Sequence, residues 1–210
     1  MSWHCKNSGA YFRTSTEALE NAQAAYSVLS ARGFSLLAFC GVWGNVESES
    51  GYNPWRWQSD VLLPVGDPRI YYQNGHAYGL CQWDAASKYI DGGVSYSGYG
   101  PNFQNQAGLL TDGNAQLAFL DDTAVLSGQY YPNPNYSYQI SYDDFKNMTL
   151  GTYTIEYAVR AWFYNYERGT WDYGRVNAAA YWYATLSGYN PHNIPIWLLF
   201  KMKEGNSRNV

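Results

Sequence analysis

The chain has little charge and no long apolar run, and both shortages restrict what it can do. Charged residues make up 14% of its 210 residues, the net charge is -4, and Lys and Arg are scattered along the sequence. Because nucleic-acid binding relies on a concentrated basic surface, nucleic acid is excluded as an expected partner. No stretch approaches the roughly 18 apolar residues of a membrane span. Residues 1–13 also lack the apolar segment of an ordinary signal peptide, so we expect neither a leader nor a membrane anchor.

Cysteine and histidine are scarce as well. Cys5, Cys40 and Cys81 are an odd number without a CxxC pair, and the last two lie in apolar surroundings. We expect mostly buried thiols, with one disulfide bridge left open. The three histidines are far apart in sequence: His4, His76 and His192. Since metal-binding motifs place their ligands at short, regular spacings, we predict no metal and no cofactor.

Aromatic residues are abundant where charge is not. They account for 19% of the chain, with 22 Tyr and 9 Trp. Ring faces stack on the C–H faces of sugars and their polar tips form hydrogen bonds, which suits an uncharged or weakly charged glycan. The same composition also suits a Tyr-rich core and surface, and at this point both interpretations stand.

Apolar spacing predicts a mainly helical single domain with long loops, in the α+β class. Helices are predicted from the capping sequence at 14–17 to Gly33, from Ser35 to about Ser48, and over 105–126, 142–147, 155–168 and 175–186, with a short one beginning at 84–89. Residues 51–77 predict a long loop or a small β-hairpin, with a short strand at 70–72 before the Asn74-Gly75 turn.

Glu49 lies where the second predicted helix stops. Glycosidases need a carboxylic acid that protonates the leaving oxygen, and an acid at a helix end beside an aromatic cleft is suited to that chemistry. Glu47 is two positions earlier and points to another helix face, so only one of the two is expected to be catalytic. Spacing alone does not choose between them, and a solvated surface charge is the ordinary interpretation of either.

A second motif, 78–83, follows about thirty residues later. Gly79 would let a backbone approach a ligand closely, and Gln82 offers one acceptor and two donors to a sugar amide or to the acid. A Gly-Leu-x-Gln fragment is weak evidence by itself. Its occurrence after the Glu49 motif is much stronger evidence.

Together these motifs resemble the phage tail lysozyme family and, more distantly, soluble lytic transglycosylases and goose-type lysozymes. The residues that carry the resemblance are Glu49-Ser50-x-x-Asn53-Pro54 and Tyr78-Gly79-Leu80-x-Gln82-Trp83. The segment 39–45 resembles the helix leading into the family's catalytic Glu, and residues 166–168 with 175–182 resemble its late helix pair. The match covers about residues 15–186, although the aromatic segment 55–76 is long for the family.

The resemblance implies a lysozyme-like fold, mainly α, with a small β-hairpin beside the catalytic cleft. It identifies Glu49 as the catalytic acid and implies a substrate-binding set of Ser50, Asn53, Tyr78, Gly79, Leu80, Gln82, Trp83 and Tyr166. Glu167 is interpreted as a structural ion-pair partner of Arg175 in preference to a second catalytic group. Within the chain, residues 1–14 would be an N-terminal extension, 15–186 the catalytic domain and 187–210 a tail that packs on the domain or on a partner.

The implied activity is hydrolysis of the peptidoglycan glycan strand between N-acetylmuramic acid and N-acetylglucosamine, used by a phage to breach or lyse the cell wall. A lytic transglycosylase acting on the same bond, and a non-catalytic glycan-binding or structural tail module, are the alternatives. The expected partners are glycan strands and other phage tail proteins. The protein is expected in the virion tail, or in the host cytoplasm before release as an endolysin.

Overall fold

The structure, a computed structural model, describes residues 3–5, 16–60, 63, 67–73, 75–90 and 113–188. The described residues form two compact units. One unit draws on 1–32 and 49–131, and the other on 33–48 and 132–210. The predicted extension, apart from Trp3 to Cys5, and the predicted tail beyond residue 188 lie outside the described residues.

The first unit is built on two helices that pack against each other, α1 (Thr16–Ala31) and α4 (Gly113–Leu126). Tyr89 of the short helix α3 (Ser87–Ile90) packs edge to face on Phe119 of α4. The small side chains that recur at helical spacing on α1 are fully buried, and they let α4 pack closely against α1. Arg32 donates hydrogen bonds to Asp121 at 2.9 Å and to Asp122 at 2.7 Å, so an ion pair also joins the end of α1 to α4. The predicted stop of α1 is confirmed: Gly33 follows it with φ of +90°.

The second unit contains the first thirteen residues of α2 (Leu36–Ser50), α5 (Tyr142–Lys146), α6 (Ile155–Trp162) and α7 (Gly174–Leu186). Ser35 caps α2 as predicted, because its hydroxyl accepts a hydrogen bond from the backbone N–H of Ala38 at 3.1 Å. A π-helical turn, Phe163–Glu167, continues α6 and ends at Arg168 in the left-handed conformation. These elements confirm the helices predicted from 142 onward.

Buried Asn45 joins α2 to α6 and α7 through hydrogen bonds. Its side-chain N–H₂ donates to the carbonyl of Val159 on α6 at 3.1 Å, and its oxygen accepts from Arg175 on α7 at 3.1 Å. Gly41 and Gly44 face these same two helices, where a Cβ atom would fall 2.9 Å from the Ala158 carbonyl oxygen and 2.4 Å from the Arg175 carbonyl oxygen. The glycines therefore allow close helix packing.

The predicted strand at 70–72 is wrong. Pro68–Tyr71 form a 3₁₀ turn in which Asp67 caps the backbone N–H of Arg69 at 2.9 Å and Pro68 occupies the first helical position. The Asp-Pro start signal outweighs the β-propensity of the Ile-Tyr-Tyr run. No β-hairpin appears among the described residues of 51–90. What pairing there is consists of isolated antiparallel bridges, Trp57 with Tyr78 and Tyr78 with Trp83.

All three cysteines are free thiols. Cys40 and Cys81 are buried, as predicted, and Cys5 is partly buried. Burial raises the pKa of the Cys40 thiol well above its ordinary value, so this side chain behaves as a small apolar group.

Candidate functional site

Glu49 lies on the last turn of α2, as predicted, and its side chain is partly exposed. Ser50, the last residue of the helix, is fully buried. The chain then turns sharply: Gly51 and Tyr52 both have positive φ, +57° and +67°, and the Asn53 N–H donates to the Ser50 carbonyl at 3.3 Å. Glu49 therefore lies directly before the point where the backbone leaves the helix.

Hydrogen bonds to Asn53 hold the turn that follows Glu49. Asn53 is fully buried, and its side-chain oxygen accepts a hydrogen bond from the Trp55 N–H at 3.0 Å. The Arg56 N–H donates to the Asn53 carbonyl at 3.2 Å. Asn53 thus shapes the loop that follows the acid, and its contact with substrate stays a prediction.

The second motif forms a tight turn. Gly79 has φ of +83° and Gln82 of +45°, and the Gln82 N–H donates to the Gly79 carbonyl at 3.2 Å. On either side of the turn, Tyr78 and Trp83 exchange backbone hydrogen bonds of 3.2 and 2.9 Å. A non-glycine residue with positive φ is strained, so Gln82 must be held there by its surroundings.

The carbonyl of Arg56 brings the two turns together. It accepts hydrogen bonds from the Gly79 N–H at 2.9 Å and from the Gln82 side-chain N–H₂ at 3.1 Å. The Gln82 amide also donates to the Gly79 carbonyl at 3.0 Å, which uses both of its hydrogens. This leaves the amide oxygen of Gln82 as the side-chain group that can accept a hydrogen bond from a sugar.

Gln116 on α4 adds a second connection. Its fully buried side chain accepts a hydrogen bond from the Leu80 N–H at 2.8 Å and donates one to the Pro54 carbonyl at 2.8 Å. Pro54 belongs to the Glu49 motif and Leu80 to the second motif. The structure thus brings the predicted motifs together through Arg56 and Gln116, neither of which the sequence singled out.

Tyr78 and Trp83 are core aromatics. Tyr78 is 1% exposed and Trp83 is 7% exposed, and both rings stack on Tyr89. Burial raises the pKa of the Tyr78 hydroxyl well above its ordinary value, so it stays neutral. These rings support the turn from inside the unit, and direct contact with substrate stays a prediction for them.

Tyr166 belongs to the second unit, where it is 2% exposed and its ring stacks on Trp162 at 4.3 Å. The Trp162 indole N–H donates to Glu167 at 3.1 Å. Arg175 donates to Asn45, and its guanidinium lies over the Phe163 ring at 5.0 Å. The Glu167–Arg175 ion pair and the binding role of Tyr166 stay predictions.

The sequence gives only faint signals for the residues that hold the site together. Gln116 and Asn21 are polar residues at positions of the helical pattern that face inward, which is unusual for uncharged amides. The Asn21 amide donates to the Tyr52 carbonyl at 3.1 Å and so holds the left-handed turn after Glu49. An inward-facing polar position in a helix could have drawn attention to both.

Candidate metal ligands are not clustered in the part of the chain that is described. There, no three His, Cys, Asp or Glu side chains lie close enough together to ligate a metal ion. Within the same residues, no helix has both the length and the apolar character needed to cross a bilayer.

Comparison with known proteins gives the family. The sequence profile described as phage tail lysozyme matches residues 20–186, a span that contains both motifs and Gln116. Morphogenesis protein 1 of Bacillus phage B103 is 28% identical over 171 residues, which are 80% of this chain and 40% of that protein. The chain thus spans less than half the length of this curated relative. Since the profile covers most of the chain, the protein belongs to the phage tail lysozyme family.

Proposed function

We propose that the protein is a peptidoglycan hydrolase that cuts the glycan strand between N-acetylmuramic acid and N-acetylglucosamine, with Glu49 as the proton donor. The observation that carries the proposal is the position of Glu49. This partly exposed residue lies on the last turn of α2, directly before a turn whose backbone is joined to the Gly79–Gln82 turn. The family supports the reaction class, and a carboxylic acid is the group that glycoside cleavage requires.

Glu49 would protonate the glycosidic oxygen as the bond to the anomeric carbon breaks. We assign no second carboxylate. Three partners for the cation-like transition state are chemically compatible with one acid: a water molecule on an inverting path, the acetamide of the substrate itself, or the muramoyl hydroxyl. The last partner would release an anhydro sugar and make the protein a lytic transglycosylase.

The proposed catalytic domain is 15–186, with 1–14 as an extension and 187–210 as a tail that docks on the domain or on a partner. The family match over 20–186 supports the first boundary within a few residues.

The proposed site of action is the host cell wall, reached from the virion tail. Peptides of this protein in trypsin digests of purified virions would support that location, and their absence there would favour release as an endolysin.

A Glu49→Gln variant tests the activity, and Glu47→Gln is its matched control. Both residues are partly exposed Glu side chains near the end of α2. Glutamine keeps the shape of glutamate but has no acidic proton, so E49Q should clear walls at a rate at least about a hundredfold below wild type. E47Q should clear them at nearly the wild-type rate. Turbidity loss of purified cell walls measures both, and an E49Q protein as active as E47Q would refute the assignment.

The second candidate is a glycan-binding or structural tail module. Two observations favour it: the relative is named for morphogenesis, and the matched part is less than half of it. A binding module would sediment with peptidoglycan and leave the walls turbid, with E49Q and wild type sedimenting equally. Clearance of walls by wild type would exclude a purely structural role.

A further inference from the structure

One buried side chain on α4 connects the two motifs of the proposed active site. Gln116 is fully buried and forms one hydrogen bond of 2.8 Å to each motif, at the Leu80 N–H and the Pro54 carbonyl. We propose that Gln116 is a positioning residue that fixes the distance between the turn that follows Glu49 and the Gly79–Gln82 turn. This inference rests on the proposed function, because it concerns the geometry of that same reaction.

The chemistry of the side chain suits this role. A glutamine amide is a planar group with a donor at one corner and an acceptor at the other, so it can replace a peptide unit between two backbones. Glutamate would lose the donor when ionised, and methionine would lose both groups. Removal of the amide leaves the buried Pro54 carbonyl and Leu80 N–H without these bonds, which favours separation of the two turns.

Gly79 shows how closely the amide fits. A Cβ atom at this position would lie 2.6 Å from Oε1 of Gln116, which is shorter than any normal contact. The absence of a side chain at Gly79 therefore makes room for the Gln116 amide. The sequence predicted a glycine that admits a ligand, and the structure adds a second reason for it.

The distance between the two turns matters for catalysis because backbone N–H groups of the second motif are already engaged within the protein. Five N–H groups of the second motif are engaged inside the protein, at Tyr78, Gly79, Leu80, Gln82 and Trp83. A sugar bound there must use the groups that remain, including the Gln82 amide oxygen, and their distance from Glu49 depends on how far apart the two turns lie. Displacement of reacting groups by about 1 Å can cost on the order of a hundredfold in rate.

Thr123 provides the contrast. It lies two turns further along α4, it is 2% exposed, and its hydroxyl donates to the Phe119 carbonyl of its own helix at 2.5 Å. Thr123 is a buried polar residue of the same helix, and its hydroxyl bonds to that helix and to neither motif. Removal of the Thr123 hydroxyl should lower the stability of the protein and leave the geometry of the site unchanged.

The test compares Q116M, Q116E and T123V with wild type on soluble glycan strands prepared by amidase treatment of peptidoglycan. We expect kcat to fall about 10- to 100-fold in Q116M, with KM changed less than about threefold, because geometry and not substrate affinity is altered. Q116E keeps the acceptor for the Leu80 N–H but, when ionised, has no donor for the Pro54 carbonyl, so its kcat should also fall. T123V should keep the wild-type kcat even where its melting temperature falls as far as that of Q116M. In Q116M, amide exchange at Leu80 measured by NMR should accelerate.

The outcomes separate the two claims. Folded Q116M with wild-type kcat, or T123V with the same kcat loss as Q116M, overturns the positioning role and leaves the proposed function intact. If Q116M does not fold, Q116E decides the matter, and wild-type kcat in that variant overturns the role. A wild-type protein that leaves the strands uncut refutes the proposed function itself, and the inference with it.

Discussion

Tyr52 has a backbone conformation that tyrosine rarely adopts, and Asn21 helps to hold it there. The φ of Tyr52 is +67°, which costs on the order of 1 kcal/mol for a non-glycine residue. The Asn21 amide donates to the Tyr52 carbonyl at 3.1 Å and exchanges two further hydrogen bonds with the backbone of His4, at 2.8 and 2.9 Å. The turn that follows Glu49 is therefore stabilised by a residue of α1.

We predict that Asn21→Ala lowers the free energy of unfolding by about 1–3 kcal/mol, because it leaves buried backbone groups without these partners. Asn135→Ala is the control, since Asn135 is exposed and the change should cost less than about 0.5 kcal/mol. Urea titration followed by tryptophan fluorescence measures both. Equal stability of N21A and N135A would contradict the role given to Asn21.

At this scale the sequence predicts the motif residues better than their partners. Glu49 is recognised because its neighbours in sequence form a motif. Gln116 acts on Pro54 and Leu80 from 62 and 36 positions away, and no local pattern encodes such a contact. Arg56 acts through its carbonyl, a group that every residue carries, so its identity gives no signal.

Among the elements, α2 depends on its glycines. Gly44 faces α7 so closely that a Cβ atom would lie 2.4 Å from the Arg175 carbonyl oxygen and 2.8 Å from Cβ of Ala179. Backbone atoms cannot rotate away as a side chain can, so an added methyl group forces the helices apart. The favourable helix propensity of alanine, about 1 kcal/mol relative to glycine, offsets part of this cost.

Gly44→Ala should therefore lower the free energy of unfolding by a net ~1–3 kcal/mol in spite of the better helix propensity. Gly169→Ala is the matched substitution, since nothing lies within 4 Å of its added Cβ. It should be neutral or slightly stabilising. Thermal unfolding followed by circular dichroism distinguishes them, and a G44A protein as stable as G169A would show that the helices are not in such close contact.

Helices were easier to predict than the segment between the motifs. The helices of the second unit have apolar residues at regular spacing and clear caps, such as Thr154 before α6. Between residues 51 and 90 the fold depends on positive φ angles, on Asp67 and Pro68, and on hydrogen bonds between distant turns. These features have no periodicity, so a strand and a hairpin were expected where a 3₁₀ turn and isolated bridges occur.

For the whole molecule, composition narrowed the range of expected functions but did not select one. The low charge made nucleic acid an unlikely partner, and the abundant tyrosine fitted either a glycan surface or a core. Several of the aromatic side chains near the motifs turned out to be core, among them Trp57, Tyr78 and Tyr89. The family assignment therefore rests on the motifs and the profile match, and not on the aromatic content.

The central claim is that Glu49 donates a proton to the glycosidic bond of peptidoglycan, and the identity of the products tests it most directly. Glycan strands digested with wild type or E49Q would be reduced with borohydride and analysed by mass spectrometry. We predict new reducing ends on N-acetylmuramic acid with wild type and E47Q, and none above background with E49Q. Anhydro ends in place of reducing ends would identify the transglycosylase. Products that are unchanged in E49Q, or the absence of any cut in the strand with wild type, would contradict the claim.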